Sequence, residues 1–353
     1  MVSPPVAVPA VSPALPKVAL VALLIPTKSA LLGRAADIAR QGFMAAHGME
    51  PDKPEVKLIE TDGTPEDALR GYREALAQGA TVVVGPLTRG EVTALAKSGI
   101  VKVPTLLLNQ PEGEYPAERL LTVFGLGVEN EAREAARVAQ SSSAKSAVIV
   151  TLNTPLQKRA AQSFADEWRA RGGSIVDTIE LAGPAAYSKL RGQLSKLEAD
   201  VLFLSADAEK ARLIRPSLGM RPIISTSQVF AGHSRSKKPA EGEEPVASRA
   251  FHDLNGIRFV DMPWLHQPDH AASIIYPRAE KALSGELDRL YALGIDAWRL
   301  GVLLSKRADN ATDEVTLDGV TGKLTLRRSA RGQLVERAPI QASFRDGMVV
   351  ASP

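Results

Sequence analysis

Five histidines are the first residues to test for chemistry: His47, His233, His252, His266 and His270. Only His266 and His270 stand close enough to share a metal, and on a helix their spacing would turn both rings to one side. Pro263 and Pro268 oppose a helix in PWLHQPDH, so this stretch reads as a surface loop without metal. The chain has no cysteine, which excludes a thiolate zinc site, an iron–sulfur cluster, a cysteine nucleophile and a disulfide framework. No G-x-S-x-G elbow is present and no serine is paired in sequence with a base.

Nucleotide chemistry fares no better. Gly125-Leu126-Gly127-Val128-Glu129-Asn130 is the nearest approach to G-x-G-x-x-G, but Asn130 takes the third glycine position and Glu129 would face a phosphate. Gly85–Gly90 has the two glycines of a P-loop and then Glu91-Val92, with neither the lysine nor the hydroxyl that holds phosphate and magnesium. The acids at Glu60/Asp62, Glu66/Asp67 and Glu129/Glu131 fall in turns or at helix starts, where the helix dipole favours them without catalysis. The pairs Lys237-Lys238 and Arg327-Arg328 lack interleaved aromatics, so no nucleic-acid platform is expected. No cofactor and no enzyme activity follow from any motif.

The elements that would position a site form a clear series. Val18–Ile25 is a buried strand, followed by helical patterning over Gly33–His47, a strand at Val56–Glu60 and a helix over Pro65–Gln78. Thr81–Val84, Glu91–Ser98 and Thr105–Leu108 continue the alternation. It restarts after Phe124-Gly125 with Glu129–Ser142, Ser146–Thr151 and Leu156–Arg171, and runs on to Pro222–Ser225. Strands alternating with helices of this length specify βαβ units and parallel sheets, here two Rossmann-like halves in series. Pro277–Ser305 is the longest helical stretch, with Gly285 and Gly294 expected to divide it. Thr316–Val350 reads as antiparallel hairpins. Met1–Pro16 is a proline-rich arm and His233–Ser248 a polar, mobile loop.

At 353 residues, with 43 basic against 40 acidic side chains, the chain fits two ordinary globular domains without a basic tract. No run approaches the ~20 apolar residues of a membrane span, so a soluble protein is expected. In open α/β sheets ligands bind beyond the carboxyl ends of the strands. The side chains there are Ser29, Thr88, Arg89, Asn109 and Gln110 in the first half, and Asn153, Thr154 and Asp207 in the second. They could orient a small polar ligand, with Arg89 and Asp207 clasping a zwitterion, or simply cap helices and turn the chain.

The order of VALLIP, GRAADIARQGFMAA, GATVVVGPLTRGEVTALA, VPTLLLNQP and FGLGVENEAREAA resembles the type I periplasmic-binding-protein-like domain of the LppC family. These are outer-membrane lipoproteins that activate penicillin-binding proteins. DMPWL followed by LYALGIDAWRLG is the more specific part, since solute receptors share the Gly-Pro of GPLTRGEV. The resemblance covers about Lys17–Gly347 and implies an α/β protein of two lobes joined by three crossovers. The first lobe is expected at 17–125 plus 263–312, and the second at 126–262 plus 313–353. It also implies a non-enzymatic, periplasmic, outer-membrane-associated activator whose partner is a class A penicillin-binding protein. Longer relatives carry a leader, a lipidated cysteine and helical repeats, none of which is in the sequence given. The alternative is a periplasmic receptor for an amino acid or similar small polar ligand.

Overall fold

Helix and strand boundaries follow from local chemistry. The computed structural model describes residues 19–141, 143–232, 251–307 and 313–352. The expected arm at Met1–Pro16 and mobile loop at His233–Ser248 lie outside the described residues. Strand β1 (Leu20–Ile25) is apolar on both faces and almost wholly buried, as a central parallel strand requires. Then come α1 (Gly33–Met49), β2 (Glu55–Glu60), α2 (Pro65–Ala77), β3 (Val82–Val84), α3 (Arg89–Lys97), β4 (Thr105–Leu107) and β5 (Leu121–Val123). Thr64 caps α2 ahead of Pro65, and Thr88 with Glu91 closes a reciprocal capping box on α3.

The second series is α4 (Val128–Ser141), β6 (Ser146–Leu152), α5 (Pro155–Ala170), β7 (Ser174–Leu181), α6 (Pro184–Leu194), β8 (Val201–Ser205), α7 (Ala208–Ile214), β9 (Ile223–Ser225) and β10 (Ile257–Asp261). Short helices α8 (Pro263–His266) and α9 (Ala271–Ile274) lead to the long α10 (Gly285–Lys306). The tail forms β11 (Val315–Gly319), β12 (Gly322–Ser329), β13 (Gly332–Ala338), β14 (Ile340–Arg345) and β15 (Met348–Ala351).

Two sheets result, in the orders β11-β12-β13-β5-β4-β3-β1-β2 and β15-β14-β10-β9-β8-β6-β7. The central strands of each are parallel, and the tail adds antiparallel strands to both. Helices α1 and α10 cover one face of the first sheet and α2 with α3 the other, while α4 and α5 oppose α6 and α7 across the second. Among the described residues the chain passes between the sheets three times, after β5, after β10 and between β13 and β14.

Three expectations need correction. The tail is divided rather than given to the second lobe: β13 pairs in parallel with β5, so 315–338 belongs to the first sheet and only β14 and β15 join the second. The third crossing therefore lies at Pro339, not near 312. Gly294 does not divide the long helix. A Cβ there would fall 2.0 Å from the Ala39 carbonyl oxygen, and one on Gly42 would fall 1.9 Å from that of Tyr291, so these glycines let α1 and α10 cross at backbone contact. Finally, β5 is a strand that three residues (Leu-Thr-Val) were too few to announce.

The helix crossing generates a prediction. Gly294→Val should destabilise the fold by about 1–3 kcal/mol or more, the cost of overpacking a seam that backbone atoms cannot leave. Gly48→Val, on the same α1 but with open space around it, should cost about 1 kcal/mol or less. Denaturant unfolding of the two variants checks this.

Candidate functional site

The carboxyl ends of the first sheet's strands converge on a pocket of about 400 Å³. Its walls come from the start of α1 (Leu32, Ala35), the β3–α3 turn (Leu87, Thr88, Arg89), the end of β4 (Leu108, Asn109), Leu126 in the first crossing, and Leu290 and Leu293 of α10. Three of the sequence-predicted residues, Thr88, Arg89 and Asn109, meet here. Ser29, Gln110, Asn153, Thr154 and Asp207 are not among its lining residues.

Six of these eight side chains, those of Ser29, Thr88, Arg89, Asn109, Thr154 and Asp207, have local work. Thr88 Oγ1 accepts the Glu91 amide, and Glu91 accepts the Thr88 amide in return. Asn109 Nδ2 donates to the Leu87 carbonyl at 3.1 Å and its Oδ1 accepts the Gln110 amide at 2.9 Å. Arg89 is paired with Glu129 at 2.6 Å, and Arg159 of the second lobe donates to the same Glu129 oxygen. Burial pushes the Glu129 carboxyl up, but its own backbone hydrogen bond and the two arginines hold it below the usual range. Thr154 caps α5 and Asp207 caps α7, while Ser29 Oγ accepts the Leu32 amide in the turn before α1. The zwitterion clasp expected of Arg89 and Asp207 is thus not offered: the cation is paired across the lobe boundary and the anion is spent on a helix N-terminus.

The strongest polar constellation was not anticipated. Asp261, at the end of β10, and Arg289, on α10, form a bidentate pair at 2.7 and 3.0 Å with almost no exposure of either side chain. The same guanidinium donates to the carbonyls of Ser227 and Phe230, so a first-lobe helix grips two second-lobe segments, the end of β10 and the 227–230 turn. His266 Nε2 donates to Asp261 at 2.9 Å and its side chain is 1% exposed, so the ring is buried at the end of α8 rather than held out on a surface loop. Beside this cluster, Arg337 of β13 pairs with Glu131 of α4 at 2.9 Å, and Glu131 also accepts the Ser227 amide. Asp296, again on α10, accepts the amides of Val320 and Thr321 and the Thr321 hydroxyl. Burial pushes the Asp296 carboxyl up despite Arg299 and Thr321. A lone Arg289 among apolar residues of LDRLYALG was the available sign, because arginine is buried only when paired.

Asp261 and Arg289 lie in DMPWL and LDRLYALG, segments on which the resemblance to the LppC family rests. The sequence profile of the LppC lipoprotein family matches residues 14–186 and 184–347. The chain belongs to the LppC family. The penicillin-binding protein activator LpoA of Yersinia pseudotuberculosis is 28% identical over 338 residues, an alignment covering 84% of this chain and 49% of that protein. The chain spans about half the length of such curated relatives. A Chromobacterium violaceum structure described as a branched-chain amino acid ABC transporter is 33% identical, with a TM-score of 0.75 over 92% of this chain and 100% of that one. The LpoA C-domain of Haemophilus influenzae, described as a regulator of PBP1A, superposes with a TM-score of 0.75 at 19% identity over 95% of this chain and 100% of that one. The LppC chain thus has the two-lobed fold of the LpoA C-domain and of periplasmic binding proteins. Among its described residues no helix is long and apolar enough to cross a membrane, and no cluster of His, Asp or Glu could hold a metal.

The lobe-to-lobe pair sets a pH dependence. Burial alone would raise the Asp261 carboxyl, but Arg289 and His266 hold it well below the usual carboxylate range. A depressed carboxyl contributes stability that is complete above its unfolded pKa, about 4, and is lost as pH falls below that value. Asp261→Asn and Arg289→Met should each cost about 3–5 kcal/mol at pH 7, because each leaves a buried polar partner stranded. Urea unfolding across pH should show the gap between wild type and Asp261→Asn narrowing below about pH 4.

Proposed function

We propose that this chain is the partner-binding part of a non-enzymatic, periplasmic activator of a class A penicillin-binding protein, acting in peptidoglycan synthesis and associated with the outer membrane in its native setting. The observation that carries the reading is that relatives named as penicillin-binding protein activators align over 84% of the chain, spanning both lobes. The buried cluster supports it. A protein that acts by presenting a surface benefits from lobes held in one relation, and Asp261, Arg289, Glu131 and Arg337 hold them so. Activation is then a population shift: the activator favours whichever arrangement of the synthase it binds more tightly.

The expected outcome is that the purified chain binds its own organism's class A synthase and raises the rate of glycan-chain polymerisation. Absence of binding and of stimulation overturns the reading.

The second reading, a receptor for an amino acid or similar small polar ligand, is favoured by the 33% identity to the Chromobacterium violaceum protein over that protein's full length. Against it stands the engagement of Arg89 by Glu129 and of Asp207 by α7. If the receptor reading holds, free leucine raises the melting temperature in proportion to the logarithm of its excess over Kd. On the activator reading the melting curve stays where it is.

A further inference from the structure

The pocket at the carboxyl ends of the first sheet is chemically one-sided. Leu32, Ala35, Leu87, Leu108, Leu126, Leu290 and Leu293 supply its surface, and its three polar side chains are satisfied within the protein. Thr88 is closed in its capping box, Asn109 is used at both ends, and Arg89 is paired with Glu129. A zwitterion or a sugar would have to break these contacts to gain its own. An apolar group loses nothing by entering and removes leucine surface from water.

The apolar surface does not stop at the pocket. Leu32 is 43% exposed at its edge, and Leu31, the next residue out, is 93% exposed. Leu31 and Leu32 stand side by side at the mouth of an apolar cavity, and contiguous exposed apolar surface marks sites of protein contact. A small molecule held within the pocket would leave Leu31 in water. A side chain inserted from a larger polypeptide would fill the pocket while its flanking residues cover Leu31, the arrangement of a buried anchor surrounded by a rim.

We propose that this pocket is the socket for one aliphatic or aromatic anchor side chain of a polypeptide partner, with Leu31 as the outer contact. The inference rests on the activator reading and names the surface of the chain that the synthase engages.

The test measures the affinity of the full chain for its own organism's class A synthase in four forms: wild type, Leu31→Asp, Ala35→Trp and Met220→Asp. Ala35→Trp plugs the socket. Met220 is 98% exposed on the second lobe, away from the pocket, and serves as the control. Leucine and benzoate, each an apolar body carrying a charged head of the kind a solute receptor would hold, are added separately as small-molecule probes, with melting temperature as readout. The expected result is a loss of affinity of about tenfold or more for Leu31→Asp and Ala35→Trp, the scale of removing one anchor contact. Met220→Asp should bind as wild type does, and neither probe should move the melting temperature. Should Ala35→Trp fail to fold, Leu31→Asp decides alone, since so exposed a residue carries little of the fold. If wild type binds and both variants bind equally well, the socket is wrong and the activator reading stands. If leucine or benzoate stabilises wild type but not Ala35→Trp, the pocket serves a small molecule and the proposal is overturned. If wild type does not bind the synthase at all, the activator reading falls and the socket with it.

Discussion

A guanidinium and a carboxylate, both removed from water, fasten the two lobes to one another. Arg289 projects from the helix that lies along the first sheet, and Asp261 ends a strand of the second. Neither can be left alone where it is, because an unpaired buried charge costs several kcal/mol. The pairing thereby fixes where α10 stands relative to β10, and with it the position of each element that packs on either. Ser227, Phe230 and His266 complete the coordination, and the Glu131–Arg337 pair repeats the device one layer away. Periplasmic binding proteins close around ligands by hinge motion; here the ground beside the crossings is occupied by charge pairs that separation of the lobes would strand.

The same constraint explains why the polar loops at the strand ends are poor ligand groups. Arg89 is committed to Glu129, and α3, α5 and α7 use Thr88, Thr154 and Asp207 as their caps. What remains at the mouth is leucine.

Much of this was legible beforehand. Apolar periodicity and capping residues placed most helices and strands to within a few residues, and the order of elements specified two α/β lobes. The losses have distinct physical causes. β5 is too short for a period to show. The tail's hairpins reveal which strands are antiparallel neighbours, yet β13 takes its sheet from a parallel partner far back in the chain, and nothing local encodes that. Gly294 looked like a helix breaker because propensity is a local quantity, whereas the close approach of Ala39 is not. His266 looked exposed because its flanking prolines suggested a loop, while its partner Asp261 had drawn no notice. Of the polar residues at strand ends, Thr88, Thr154 and Asp207 take the capping roles that were as visible as any binding role.

The division of the tail bears on how the chain comes to be folded. The first sheet begins with β1 near the start of the described chain and takes in β11 to β13 near its end, with the whole of the second lobe's parallel sheet made in between. Neither lobe can close on the residues that emerge first from the ribosome. The early half-sheets must wait, with apolar faces and open edges, for α10 and the final strands. Parallel pairings separated by most of the chain length are slow to find and prone to association while they wait. In a chain so organised, loss of even the last two hairpins would leave both lobes, not one, unfinished.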